Sequence, residues 1–145
     1  MSVLTGTISP YGPLIHFMAM QSRERVEALK KAGISFSSPV VGMGLLDTGA
    51  SCSALDRTLI SSLGLQTRGI VSIHTPSTGA AFQTCNQFDA CLVLGETLPT
   101  PLMVTLPVIE CDFSTQGFQA LIGRDVLHHC VFVFEGPTDT FRLEF

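Results

Sequence analysis

A single, mostly β domain with two or three short helices is the fold that this chain predicts, on three observations. Short runs of β-branched, aromatic and other apolar residues recur along it, each bounded by Gly, Pro, Ser or Thr. Helix start and stop signals coincide at only two places, with a third, shorter candidate late in the chain. With 145 residues and 46% hydrophobic composition, the sequence can fill one core but not two.

In chain order, residues 3–8 alternate apolar and small polar side chains, Pro10-Tyr11-Gly12-Pro13 makes a turn, and 14–20 resumes as a strand, so the chain opens on a hairpin. His16 inside that strand reads as a satisfied or edge-exposed histidine rather than a ligand. Residues 22–33 carry an N-cap at Ser22, apolar spacing at Val26 and Leu29, lysines in the last turn and Gly33 as the stop. This is the clearest helix signal, and 21–33 is taken as an inserted spacer. Residues 34–40 are loop-like and lead into an apolar strand. Asp56 suits the N-cap of a helix that presents Leu59, Ile60 and Leu63 on one face and ends at Gly64. Residues 70–84 read as two strands joined by a tip of small residues, and 88–94 as a strand. Three prolines between Leu98 and Ile109 predict interrupted strands there, at 102–104 and 108–109. The chain then runs apolar to Gly123, turns helical over 124–128, and closes with strands at 131–134 and 141–145 around a turn.

Composition narrows the function. Eight basic residues against twelve acidic ones give a net charge of −4, and no basic patch exceeds Lys30-Lys31, which argues against nucleic acid or an anionic membrane as partner. No apolar run reaches eighteen residues. Five cysteines without a Cys-x-x-Cys pair form neither a disulfide framework nor a zinc site. The expectation is a soluble protein of a reducing, cytoplasmic compartment with no metal and no cofactor. Only 14% of residues are charged, so more apolar surface is expected than one copy covers, as a dimer interface would explain.

The stretch from Val40 to Leu55 organises the rest. An apolar strand delivers one carboxylate, Asp47, to a turn of small residues, Thr48-Gly49-Ala50-Ser51-Cys52, with no basic residue nearby in sequence. A carboxylate at the end of a buried strand is costly to ionise without a partner, so it is expected either to share its proton or to pair with a group elsewhere. Three chemistries use such a turn. A haloacid-dehalogenase-like phosphotransferase has a second Asp two residues on, where Gly49 stands. The phosphate hairpin of actin-like ATPases fits the local pattern but needs two large domains. The third chemistry is that of an aspartic protease.

Leu45-Leu46-Asp47-Thr48-Gly49-Ala50-Ser51, with Ala120-Leu121-Ile122-Gly123-Arg124-Asp125-Val126-Leu127 some seventy residues later, resembles the retropepsin-like aspartic proteases, closest in character to the bacterial ones. The resemblance covers residues 40–145 well and 1–39 loosely. It implies the retropepsin-like acid-protease fold, a half-pepsin closed β-barrel, and an endopeptidase acting on peptide or protein substrates. Only one Asp-Thr-Gly is present, so the second carboxylate is expected from another copy, in a homodimer with its site on the two-fold axis. Asp47, Thr48 and Gly49 are then the catalytic turn, with Thr48 bonding across the two-fold. Ala50, Ser51 and Cys52 line the substrate groove with Ser77, Thr78 and Gly79 from a flap over 70–84. Ile122, Gly123 and Arg124 form the loop beneath. Retroviral enzymes carry Asp where Ser51 stands, paired to an Arg matching Arg124, so Arg124 needs another acceptor: Asp125, Glu144 or the partner chain. The terminal strand 141–145 is expected at or near the dimer interface.

Other classes compete. A thiol hydrolase built on Cys52 with His74 or His128 would need a base beside a thiol of lowered pKa. A catalytically inactive dimerisation or peptide-binding module on the same fold is the stronger rival, against which the intact Asp-Thr-Gly stands. His128-His129 are neighbours that point apart on a short helix, and read as structural.

Overall fold

A computed structural model describes residues 1–75 and 79–145. Its β1 (Val3–Ser9) and β2 (Gly12–Met20) form the opening hairpin, but they pair with each other only at Ile8 and Ser9, after which β1 peels away. The helix α1 (Arg23–Lys31) follows, capped by the Ser22 hydroxyl, which accepts from the Arg25 N–H at 3.2 Å. Buried Gln21 at its base donates to the Leu63 carbonyl at 2.6 Å, which ties this spacer to a distant helix end.

Next come β3 (Val40–Leu46), β4 (Ala54–Asp56) and α2 (Arg57–Leu63). The Asp56 carboxylate caps α2 through the Thr58 N–H at 2.9 Å and also accepts from the Phe113 N–H at 2.7 Å. Gly64, with φ of 62°, supplies the left-handed stop that a side chain would resist. The remaining strands are β5 (Thr67–Ile73), β6 (Gln83–Leu94), β7 (Leu102–Cys111), β8 (Ala120–Ile122), β9 (Val131–Glu135) and β10 (Thr140–Glu144), with α3 (Arg124–Leu127) after β8 and a 3-10 turn before β10.

Six strands close into a barrel in the order β2-β3-β8-β4-β7-β6, and β6 returns to β2 through the pairs from Phe17–Leu94 to Met20–Cys91. The interior is apolar and close-packed: Phe17, Leu55, Leu63, Leu92, Ile122 and Leu143 are essentially inaccessible. Outside the ring, β5 extends β6 as a hairpin, while β1, β10 and β9 form a three-stranded wing.

One expectation is corrected. Residues 102–111 form one continuous strand despite Pro107. Among the described residues β7 pairs with β4 only at Ile109–Cys111, so at Pro107 it has β6 alone beside it, and an absent N–H is tolerated on a strand with one open side. Residues 141–145 fall largely in β10, which lies between β1 and β9 and has both backbone edges occupied within the chain. The open edge of the wing is β9.

Candidate active site

The Asp47 turn is held by a strand that arrives late in the chain. Strand β8 lies between β3, which it joins in parallel, and β4, which it joins antiparallel, so it fills the gap between the two arms of the turn. From there Ile122 offers its carbonyl to the Asp47 N–H at 3.0 Å, and the Arg124 N–H donates to Ala50 O at 2.9 Å. Gly123 sits so close that an added Cβ would lie 2.8 Å from the carbonyl carbon and oxygen of Cys52. Here the absence of a side chain is a steric requirement. The predicted supporting trio of Ile122, Gly123 and Arg124 is thus brought beneath the turn.

Within the turn, Asp47 Oδ1 accepts from the Gly49 N–H at 2.8 Å. A Cβ at Gly49 would approach that oxygen to 3.1 Å, so glycine leaves the carboxylate room and a donor at once. Asp47 itself is half-buried rather than sealed at a strand end, so the expected desolvation cost is relieved by access to solvent. The Arg124 guanidinium, whose acceptor was open, donates to the Thr48 carbonyl at 3.0 Å. Neither of the intrachain acceptors considered for it serves: Asp125 bonds Ser53, and Glu144 pairs with Arg142 at 2.9 Å.

The arrangement that sequence reading missed is the polar knot beneath. Ser53 is fully buried, and its hydroxyl donates to Asp125 Oδ1 at 2.7 Å while accepting the Gly123 N–H at 2.9 Å. The other Asp125 oxygen takes the Ser53 N–H at 2.8 Å, and Oδ1 also accepts the Val126 N–H at 2.9 Å. One carboxylate therefore ties the far arm of the Asp47 turn to the loop under it. The available signal was a hydroxyl residue beside the buried Ala54-Leu55 pair and an acid directly after Gly123-Arg124.

A cavity of about 640 Å³ opens in front of Asp47. The turn contributes Gly49, Ala50, Ser51 and Cys52, and the floor is Ala54, Ile109, Cys111 and Leu121. The hairpin wall is Ser72, Ile73, His74 and Thr75, at the end of β5 and just after it. Of the expected tip residues, Ser77 and Thr78 lie outside the described residues, and Gly79, with φ of 59°, is outside the described lining. His74 packs at a tilt on Phe82 with ring centroids 3.9 Å apart, just beyond the last strand pair of the hairpin, Ile73–Gln83.

The thiols are poorly placed for nucleophilic work. Burial pushes the Cys52 thiol up, the Asp125 carboxylate pushes it further, and the Ser51 hydroxyl only partly opposes them. Cys111 is pushed up to about 11, by burial first and then by neighbouring Cys85 and Cys52. A thiolate nucleophile needs the reverse. His128 is exposed at the end of α3, and His16 is exposed on β2. Among the described residues no group of three or more His, Cys, Asp or Glu could hold a metal ion, and no helix is long and apolar enough to cross a membrane.

No protein-family model and no curated protein matches this chain. A solved structure does: a retropepsin-like aspartic protease from Rickettsia conorii, matched over 99% of this chain and 91% of the other, with a TM-score of 0.56 and 14% sequence identity. Together with the closed six-stranded barrel and three short helices, this likeness identifies the fold as retropepsin-like.

Proposed function

We propose that this chain is one half of an aspartic endopeptidase, active as a homodimer in which two Asp47 carboxylates face each other across a two-fold axis. The observation that carries the reading is the setting of Asp47: a solvent-reachable carboxylate in an Asp-Thr-Gly turn, bonded by the Gly49 N–H, in front of a largely apolar cavity. The retropepsin-like fold adds support at the level of architecture.

Two carboxylates within hydrogen-bonding distance cannot both ionise cheaply, so the pair holds one proton; the handling of such dyads is a standard case of like charges splitting two pKa values. The ionised Asp47 takes a proton from a bridging water, which attacks the scissile carbonyl. The protonated Asp47 donates to the developing oxyanion, and the proton then passes to the leaving nitrogen. Gly49 N–H fixes the carboxylate plane, and Thr48, its carbonyl already anchored by Arg124, presents its side chain towards the partner turn. Cavity residues Ala50, Cys52, Ala54, Ile109, Cys111 and Leu121 favour apolar substrate side chains, while Ser51 offers polar atoms to the peptide backbone. The hairpin β5–β6 serves as the flap that closes over the peptide.

The test is unbiased cleavage profiling on a peptide library at acidic to neutral pH, wild type against Asp47→Asn. Cleavage is expected between apolar residues in wild type and absent from the variant. Cleavage that survives Asp47→Asn, or that thiol reagents block and pepstatin-like compounds do not, refutes the assignment. A wild type that binds peptides and cleaves none identifies the inactive binding module instead.

A further inference from the structure

All five cysteines are free thiols, and three of them gather at one place. Cys85 on β6 is buried with Ala54 and Ile109 in a small apolar cluster, against which Cys52 and Cys111 pack together with Val71 and Ile73 of β5. Cys52 and Cys111 line the cavity in front of Asp47, and Cys85 is buried beside them. Register singles out one pair. Strands β6 and β7 run antiparallel from Leu94–Leu102 to Gln87–Ile109, where their ladder ends and β7 goes on beside β4. Beyond that point Asn86 still reaches Glu110 opposite it, its Nδ2 donating to Oε2 at 2.9 Å. The next step along both strands sets Cys85 level with Cys111, and because side chains alternate, both thiols share the face of Ile109. A disulfide spans Cα atoms about 4.4–6.8 Å apart, the spacing of residues opposite one another on neighbouring strands.

We infer that Cys85 and Cys111 are a thiol–disulfide pair, oxidised by small disulfides of the glutathione class, and that its closure staples the flap hairpin to the cavity floor. The pair takes no part in the cleavage chemistry, and its effect on cleavage rests on the flap reading above. From Asn86 towards the hairpin tip, β6 has β5 alone as a paired strand among the described residues, so this is where the hairpin can lean away from the barrel. A bond between Cys85 and Cys111 lies on that hinge. Cys111 is the entry thiol, because it is half-buried and lines the cavity, while Cys85 is buried. Having given its proton to water, Cys111 Sγ attacks one sulfur of the small disulfide, and the other departs as a thiolate that takes up a proton. Cys85, deprotonated in turn, attacks Cys111 Sγ and releases the second small thiol. Two protein thiols are thereby oxidised and one small disulfide is reduced to two thiols. Burial raises both protein thiols, Cys111 to about 11, and the Glu110 carboxylate pushes Cys85 further. Thiolate is therefore scarce and closure slow, but for the same reason each sulfur is a poor leaving group and the closed bond resists reduction. Cys52 also borders Cys111, but it belongs to a turn locked against Gly123 rather than to a strand facing β7.

The test is treatment of the folded protein with oxidised glutathione, followed by intact-mass measurement, peptide mapping and thermal unfolding, for wild type, Cys85→Ala and Cys52→Ala. Wild type should lose the mass of two hydrogen atoms, with the new link mapped to Cys85–Cys111. Its Tm should rise by about 6 °C or more, as closing a loop of this length implies. Dithiothreitol should reverse both changes. Cys52→Ala should form the same link, and Cys85→Ala should not. Peptide cleavage should be lost on oxidation of wild type and persist in treated Cys85→Ala. A link between other cysteines, mixed disulfides alone, or no reaction in protein whose near-ultraviolet circular dichroism is native overturns the inference, and so does undiminished cleavage by linked wild type. If neither redox form of wild type cleaves any peptide, the protease reading falls, and the mapped link and Tm shift still decide the pair.

Discussion

Ser53→Ala tests whether the polar knot under the Asp47 turn contributes what its geometry implies. The substitution removes one oxygen from a fully buried site and strands two partners: the Gly123 N–H, whose acceptor was that oxygen at 2.9 Å, and Asp125 Oδ1, which loses its 2.7 Å donor but keeps the Val126 N–H. An unpaired buried N–H costs about 1–3 kcal/mol, and a bond to a carboxylate contributes about 1.5–3 kcal/mol. Partial relaxation of Asp125 towards its remaining donors reduces the sum, so a loss of about 3 kcal/mol is expected. For a chain of 145 residues that corresponds to a drop in Tm of about 6–12 °C. The measurement is urea and thermal unfolding by circular dichroism at one fixed protein concentration, since self-association shifts apparent stability. Ser62→Ala is the control, because its hydroxyl bonds Thr58 O on an exposed helix face and its loss should stay within about 0.5 kcal/mol. A Ser53→Ala protein as stable as that control would refute the reasoning, because the knot would then be decoration.

Further outcomes follow from the same contacts. Gly123→Ala drives a Cβ into the Cys52 backbone at 2.8 Å, and as backbone cannot rotate aside, a loss of about 3 kcal/mol is expected in denaturant titrations. Asp47→Asn keeps an acceptor for the Gly49 N–H at a half-buried position, so it should unfold within about 0.5 kcal/mol of wild type while cleavage is abolished. For Asp56, burial alone would raise the carboxyl pKa, but the Thr58 hydroxyl and the Thr58 and Phe113 N–H groups together hold it below its usual range. Its contribution is therefore complete above the unfolded value of about 4 and is lost as the pH falls through the lower folded value. Asp56→Ala should cost about 2 kcal/mol near neutrality, and the gap from wild type should narrow below about pH 4 in a stability-against-pH series.

Local signals were legible where one residue settles its own neighbourhood. Ser22, Asp56 and Gly64 cap or stop helices as their chemistry dictates, and the paired motifs around Asp47 and Gly123 gave the fold class. Readings that depended on a neighbouring strand were not. Pro107 suggested a break because its sequence does not reveal that β7 has one open side there. Nothing local to residues 141–145 announces that β9 flanks them on one side and β1 on the other. Ser53 and Asp125 are 72 positions apart, and neither is unusual until the barrel brings them together. The Arg124 acceptor was hidden for a related reason, since a backbone carbonyl leaves no trace in residue identity.

The insertion of β8 between β3 and β4 has a consequence for biosynthesis. The arms of the Asp47 turn leave the ribosome early, but the strand that separates them and the acid that locks them arrive some seventy residues afterwards. Until then the nascent chain carries Asp47 on an unsupported loop, and contacts this remote in sequence close slowly. The turn therefore takes its supported shape only after residues 120–125 have been made and folded back between its arms.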